Sequence, residues 1–322
     1  MSDFRIANVA PDAQIVGRND GAPLYYGYCL RRIFGKQNVA RVFQQDPIVG
    51  KFDLYWWADH GEDAFGWTTF QCPSPNVYIT SDTHLGYDYR LKKAKEMDVT
   101  FCNQHQAKRD FIRDGVPADK CHWLPHAYDP LAYSKGVFNV SENKWIDAVV
   151  QKKYDVCFIG NLNDINRVKH LDRLFKEIGD KIYWGTERFH EAAEIFNQSK
   201  IVFNVSARGE LNMRHFEALG AGAFLLTDNI PLSENVFTEG VHFAGYSNMD
   251  EMIEKAKYYL DPAHEEEREK IAHQGHLEAA SRHTYMHRTL TILDTLGIQY
   301  DKSAAEQFLP KVLPQELAGA AV

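Results

Sequence analysis

The run Asn212-Met213-Arg214-His215-Phe216-Glu217 leads into Ala218-Leu219-Gly220-Ala221-Gly222 and then Ala223-Phe224-Leu225-Leu226-Thr227-Asp228. It reads as a polar loop, a short helix, a glycine turn and a buried strand. Arg214 and Glu217 stand three positions apart, so they share one face of that helix. A guanidinium offers a fixed fork of donors that suits a diphosphate. A carboxylate beside it can accept from a sugar hydroxyl. Asn212 would either place an amide on the same phosphates or cap the helix.

Other polar residues follow strand-like runs. Gly160 and Asn161 end the apolar run 154–160, where a glycine lets a ligand approach the backbone closely. The helix expected after it offers free N–H groups to an anion, and Arg167 falls near its start. Trp184-Gly185-Thr186 follows a further strand, with Trp184 either a ligand contact or a core residue. Earlier in the chain, Asp59-His60 and Ser81-Asp82-Thr83-His84 each follow an apolar run. A carboxylate or imidazole there can take a proton from a hydroxyl, which makes Asp82 and His84 candidate bases and Asp59 and His60 candidate acceptor contacts. Turns and caps use the same residue types. His126 and Asp129 fall at the expected domain junction, where a lining role and a hinge role both fit.

The elements that must position these residues alternate. Strands are expected at 5–10, 38–43, 54–58, 76–80, 99–102 and 121–124, with helices at 24–34, 88–96 and 106–114. Residues 130–150 are poorly patterned and read as a link. The alternation restarts with strands at 154–160, 181–184, 201–205 and 223–227 and helices at 168–178 and 189–198, and the stretches 249–260 and 265–296 read as mainly helical. Strands separated by helices predict parallel sheets. A chain of 322 residues suits two such domains. The expected division is 1–135, 150–282 and a C-terminal stretch, 283–322, that packs back on the first domain. Ligands of doubly wound sheets bind outside the carboxyl ends of the strands.

Composition narrows the class. The hydrophobic share is 44% and the charged share 25%, ordinary for a globular enzyme. A net charge of −8 argues against a protein that grips nucleic acid mainly through phosphates. The basic residues between Arg90 and Arg113 are interrupted by acids and read as a solvated helix face. No run is long and apolar enough for a membrane span. The N-terminus lacks a signal-peptide pattern. The five cysteines are scattered without a C-x-x-C, which fits reduced thiols and a cytoplasmic location. The chain has no Asp-x-Asp, no His-Glu-x-x-His, no Walker loop and no Gly-x-Ser-x-Gly.

Taken as a set, the motifs of the second half resemble the CgeB-like (spore maturation protein) glycosyltransferases of the GT-B group. They are Phe158-Ile159-Gly160-Asn161 with Arg167; 190–200 leading into Ile201-Val202-Phe203-Asn204; Asn212–Glu217; Gly222–Thr227; and His283-Thr284-Tyr285 with His287-Arg288. Trp123–Pro130 extends the likeness weakly into the first half. The resemblance implies an α/β, GT-B-like fold of two Rossmann-type doubly wound domains facing a cleft. It also implies a nucleotide-sugar donor site in the second domain and an acceptor site in the first. The donor-binding set it implies is Gly160, Asn161, Arg167, Trp184, Gly185, Thr186, Asn212, Arg214 and Glu217, with the Trp184 turn bordering the nucleobase. Related retaining enzymes carry two glutamates separated by seven residues. Glu210 and Glu217 are separated by six, so only Glu217 is carried over.

The expected function is transfer of a sugar from a nucleotide-sugar donor to a hydroxyl of a polysaccharide, a protein, a small metabolite or modified phage DNA. No metal and no cofactor are expected, the nucleotide sugar being a substrate. A non-catalytic nucleotide-binding regulator or scaffold on the same fold is the alternative. A dinucleotide-dependent oxidoreductase is disfavoured by the missing glycine fingerprint. Stereochemistry and oligomeric state are left open by the sequence.

Overall fold

The computed structural model describes residues 4–10, 21–43, 48–59, 72–162, 164–206, 209–230 and 236–311. The chain forms two compact units. The first runs from Met1 to Pro125 and is completed by Tyr285–Leu309; the second holds His126–Thr284. The break thus falls at Pro125/His126, not after 135, and the expected link belongs to the second unit.

The first unit has one parallel sheet in the order β2-β1-β3-β4-β5-β6. Its strands are β1 (Ile6–Ala10), β2 (Val39–Phe43), β3 (Leu54–Ala58), β4 (Asn76–Thr80), β5 (Val99–Cys102) and β6 (Cys121–Trp123). Strands β1, β3 and β4 are buried at every position, as continuous apolar runs in a sheet covered on both faces should be. Helices α1 (Ala22–Phe34), α2 (Tyr87–Glu96) and α3 (His105–Arg113) connect them.

The second unit repeats the plan in the order β10-β9-β11-β12-β13, again all parallel. These are β9 (Tyr154–Ile159), β10 (Ile182–Gly185), β11 (Ser199–Asn204), β12 (Leu225–Asp228) and β13 (Ala244–Tyr246). A hairpin of β7 (Val137–Asn139) and β8 (Lys144–Ile146) precedes them, inside the stretch expected to be a link. The helices are α4 (Ile165–Ile178), α5 (Phe189–Asn197), α6 (Met213–Gly220), α7 (Met249–Leu260) and α8 (Glu265–Arg282). One core joins the sheet to α4, α7 and α8 through Phe158, Leu174, Phe203, Leu226, Met252 and Ile271. Gly220 ends α6 against the Tyr128 ring, which a Cβ there would strike, so the helix approaches that ring only with glycine.

The stretch expected to be mainly helical, 265–296, is two helices. After α8 the Tyr128 N–H donates to the His283 carbonyl at 3.1 Å, and Tyr128 and Thr284 form a parallel bridge. These bonds take the backbone groups that a continuing helix would use. Helix α9 (Tyr285–Thr295) then belongs to the first unit, where Tyr285 stacks on Tyr25 at 4.7 Å. A short α10 (Lys302–Glu306) follows.

Candidate functional site

In the second unit the strand order reverses between β9 and β11. The chain leaves β9 for β10 on one side and crosses back to β11 on the other. Crevices form at the carboxyl ends of strands at such a switch point. Gly160 and Asn161 follow β9 there, and Val205 and Ser206 follow β11. Arg167, in the first turn of α4, ties the two loops together. Its Nε donates to the Val205 carbonyl at 3.2 Å and its Nη1 to the Asn161 carbonyl at 3.3 Å.

Arg214 occupies the second turn-forming position of α6. Its Nη1 lies 3.6 Å from Glu217 Oε2, and its guanidinium stands 5.2 Å over the Phe196 ring. A Cβ placed on Gly160 would be 3.9 Å from Arg214 Nη2. The bare backbone after β9 and the guanidinium on α6 therefore meet at one place. The Arg214 side chain is 17% exposed, enough to offer its fork to a ligand. Glu217 is more deeply held. The Tyr133 hydroxyl donates to its carboxylate and accepts from the Phe189 N–H. Burial and then the Glu217 charge push that phenol well above its ordinary pKa, so it stays a donor. Phe189 itself has φ +53°, rare for a non-glycine residue. This left-handed turn starts α5 and sets the Phe196 ring under Arg214.

Beneath the N-terminus of α6 lies a polar network. Asn212 is the N-cap residue by position, yet its side chain makes no capping bond. Its Nδ2 donates to Asn204 Oδ1 at 3.1 Å, and the His215 Nδ1 lies 3.0 Å from its Oδ1. Asn204 Nδ2 donates to the Thr227 hydroxyl at 2.9 Å, which sits 3.4 Å from His215 Nε2. Asp228 accepts from the Ser206 N–H at 2.7 Å and from the Ser206 hydroxyl. Burial lowers the His215 pKa to about 4, opposed by the Asp228 charge. Neutral His215 thus acts as a spacer that locks α6 to the ends of β11 and β12.

Trp184 is half exposed at 51%, so it is a surface aromatic and not a core residue. Thr186 is exposed beside it, and Gly185 faces the Glu187 carboxylate. The Glu187 carboxylate accepts from the Tyr183 hydroxyl.

In the first unit, Asp59 does not project as an acceptor contact. It is 3% exposed and ion-paired with Arg90 at 2.5 Å. The Tyr78 and Thr80 hydroxyls donate to it at 2.9 and 3.1 Å. Unpaired, a carboxylate at that depth would carry a large desolvation penalty, which Arg90 and the hydroxyls offset. Arg90 also donates to the Leu85 carbonyl, so the pair fixes the loop that carries Asp82 and His84. Asp82 is exposed just beyond β4, with φ +48°. The Leu85 N–H donates to its carbonyl at 2.8 Å, closing the turn. His84 is half-buried in the same turn. His60 lies outside the described residues. His126 is 9% exposed and belongs to the second unit, where its charge bears on His215.

The structure thus brings together Gly160, Asn161, Arg167, Arg214 and Glu217, and it turns Asn212 inward. Tyr133, Phe196, Asn204, His215 and Asp228 were not singled out from sequence. Phe196, Asn204, His215 and Asp228 sat in the quoted motifs. Tyr133 had no signal, because it lies in the stretch expected to be a link.

Residues 144–294 match the model of a family described as glycosyl transferase-like. No curated protein sequence matches the chain. Among solved structures, Anabaena HepE in complex with UDP-glucose is similar with a TM-score of 0.62 and 13% identity, over 91% of this chain and 99% of that one. Sucrose-phosphate synthase from Thermosynechococcus elongatus gives a TM-score of 0.59 and 10% identity, over 91% and 98%. An α1,3-fucosyltransferase gives 0.55 and 13%, over 94% and 90%. At these identities the likeness is one of fold: this is a chain of GT-B-like architecture whose residues 144–294 match the glycosyl transferase-like family model.

Proposed function

We propose that this protein transfers a sugar from a nucleotide-sugar donor to a hydroxyl-bearing acceptor, without a metal ion, and that it is of the CgeB-like kind. The observation that carries the reading is the meeting of Arg214 with the bare backbone of Gly160 at the switch point of the second unit. Arg214 would bind the donor diphosphate and take up its growing negative charge as the glycosidic bond breaks. That is the task a metal performs in other transferases, here given to a permanent cation. Asn161 and Arg167 border the same phosphates. Glu217 would accept from a ribose or sugar hydroxyl, its carboxylate oriented by Tyr133. Trp184, Gly185 and Thr186 would border the nucleobase.

HepE was solved with UDP-glucose, which makes UDP-sugars the first donors to try. Asp82 is proposed as the base that takes the acceptor proton, with His84 beside it, and His126 as a further acceptor-side residue. Asp59 has a positioning part only, through Arg90 and the loop. The scattered, unbridged cysteines support a cytoplasmic location, and among the described residues no helix is long and apolar enough to cross a membrane. The test is thermal unfolding with a panel of nucleoside diphosphates and their sugars, followed by release of free diphosphate without acceptor. A ligand that binds the native state raises the apparent stability. Stabilisation by at least one diphosphate, with slow donor hydrolysis, is expected. Stabilisation without any turnover in the presence of acceptor panels would favour a binding protein instead.

A further inference from the structure

The sheet of the second unit begins at β10, and among the described residues no strand pairs with its outer side. The Lys181 carbonyl accepts from the Asp155 N–H at 2.8 Å and the Gly185 carbonyl from the Gly160 N–H at 2.9 Å, both on the β9 side. Backbone groups alternate in direction along a strand, so the N–H and C=O of Ile182 and Trp184 point to the open side. Natural edge strands are commonly blunted by a charge, a proline or a bulge. Ile182-Tyr183-Trp184-Gly185 has no charge and no proline, and its register with β9 is unbroken. The opposite edge, β13, is buried at all three positions.

The side chains beside this edge are apolar. Ile182 packs in the core with Leu171 and Leu174 of α4, so Trp184, two residues on, stands on the α4 face. There it is exposed. Arg173 and Glu177 pair with Asp250 and Lys257, which fixes the flank of α4 turned to α7. Helix α7 lies over β11, β12 and β13. Val168 and Phe175 are about half a turn round α4 from that flank, on the side towards β10, and both are exposed.

The flanking charges make the strand complementary to itself. A two-fold axis perpendicular to a sheet sets antiparallel strands side by side with paired residues on the same face. With Trp184 opposite its own copy, Ile182 meets Thr186, Tyr183 meets Gly185, Lys181 meets Glu187 and Asp180 meets Arg188. The Arg188 backbone is extended, with φ −137° and ψ 161°, as such pairing requires. Each charge in the span then faces its opposite. With Tyr183 on the axis instead, Lys181 would meet Gly185 and Asp180 would meet Thr186, and every charge pair would be lost. Opposite charges directly across a strand pair stabilise it, and like charges destabilise it.

We propose that β10 pairs antiparallel with β10 of a second copy of this chain, joining two sheets into one across a two-fold axis at Trp184. The two Trp184 residues exchange N–H to C=O bonds, and Val168 and Phe175 add apolar surface beside them. The proposal does not rest on the transferase reading, since a monomer retains Gly160 and Arg214 for a donor.

The test is sedimentation equilibrium of the full chain over a dilution series, with thermal melts to check that each variant is folded. Wild type should dimerise reversibly at or below about 100 μM. Lys181→Glu sets like charges opposite one another and should weaken the dimer about tenfold or more. Adding Glu187→Lys to Lys181→Glu reverses the pair and should restore association. The Ile182 and Trp184 amides should exchange more slowly in the dimer than at dilutions where the chain is monomeric. Four outcomes overturn the proposal: a wild type monomeric throughout the series, a dimer indifferent to Lys181→Glu, a double variant that stays as weak as the single one, or amides that exchange alike in both states.

Discussion

Arg214 is where charge, position and exposure coincide. Its guanidinium is held by the Phe196 ring at 5.2 Å and by Glu217 at 3.6 Å, yet 17% of the side chain is open to solvent. Those two contacts fix its direction before any ligand arrives, which reduces the ordering cost of binding. A charge-assisted contact of this kind contributes about 1.5–3 kcal/mol. Arg214→Ala should therefore weaken binding of whichever nucleoside diphosphate stabilises the protein by about one to two orders of magnitude, measured by calorimetry. Arg214→Lys should recover only part, since a point charge does not reproduce the fork. Unchanged affinity in the alanine variant would remove Arg214 from the site. Asp82 allows a separate prediction. It is exposed, and its left-handed backbone suits asparagine as well as aspartate. Asp82→Asn should then fold normally, bind that diphosphate as wild type does, and lose turnover by about two orders of magnitude or more if it is the base. A large loss of diphosphate affinity would instead make Asp82 a donor contact.

The elements holding these residues were readable in unequal degree. The long apolar runs and the helices between them were legible because burial on both faces leaves few polar positions. The hairpin Val137–Ile146 was not. Its strands have three residues each, its turn holds Asn143 at positive φ, and Gly136 before β7 is at positive φ where a Cβ would strike the Ile146 carbonyl, none of which periodicity reports. Strand β13 is likewise three residues with a glycine at its centre. The Arg214–Glu217 pair was legible from helical spacing alone, whereas the Tyr133–Glu217 bond joins residues distant in sequence and could come only from the fold. The cap role open to Asn212 lost to a network that needs its side chain elsewhere. That network makes a prediction about pH. The folded-state pKa of His215, about 4, lies below the ordinary value of 6.5, so the unfolded chain binds this proton more readily. The contribution is therefore complete above about pH 6.5 and is lost as pH falls towards 4, amounting to at most about 3 kcal/mol. In His215→Asn, unfolding free energy should be lower at pH 7 but should decline less between pH 7 and 4.5, as read from urea melts. Parallel curves for variant and wild type would dismiss the idea that His215 is buried neutral.

At the scale of the molecule, the first unit is built from both ends of the chain. Tyr285, the first residue of α9, stacks on Tyr25 at 4.7 Å and meets the edge of Tyr26 at 5.2 Å, both on α1. Arg288 Nε donates to the Pro125 carbonyl at 2.8 Å, fastening the same helix at the last residue of the unit's N-terminal part. Tyr285 is 2% exposed, so truncating it leaves a large cavity among aromatic rings. Truncating a buried aromatic to alanine typically costs about 3–5 kcal/mol. Tyr285→Ala should lower the stability of the first unit by about that amount. The loss should appear in hydrogen exchange as faster exchange of the β1, β3 and β4 amides, while those of β9 and β11 keep their wild-type rates. A nucleoside diphosphate that stabilises the protein should act the other way round, slowing the β9 and β11 amides, because the groups proposed to hold it all lie in the second unit. The expected return of the C-terminal stretch to the first domain began at 283, and the structure divides the units at Thr284/Tyr285. The division at Thr284 and Tyr285 is what this pair of exchange maps reads directly. Uniform acceleration over both sheets in Tyr285→Ala would mean that the two units unfold as one, and the assignment of α9 to the first alone would have to be given up.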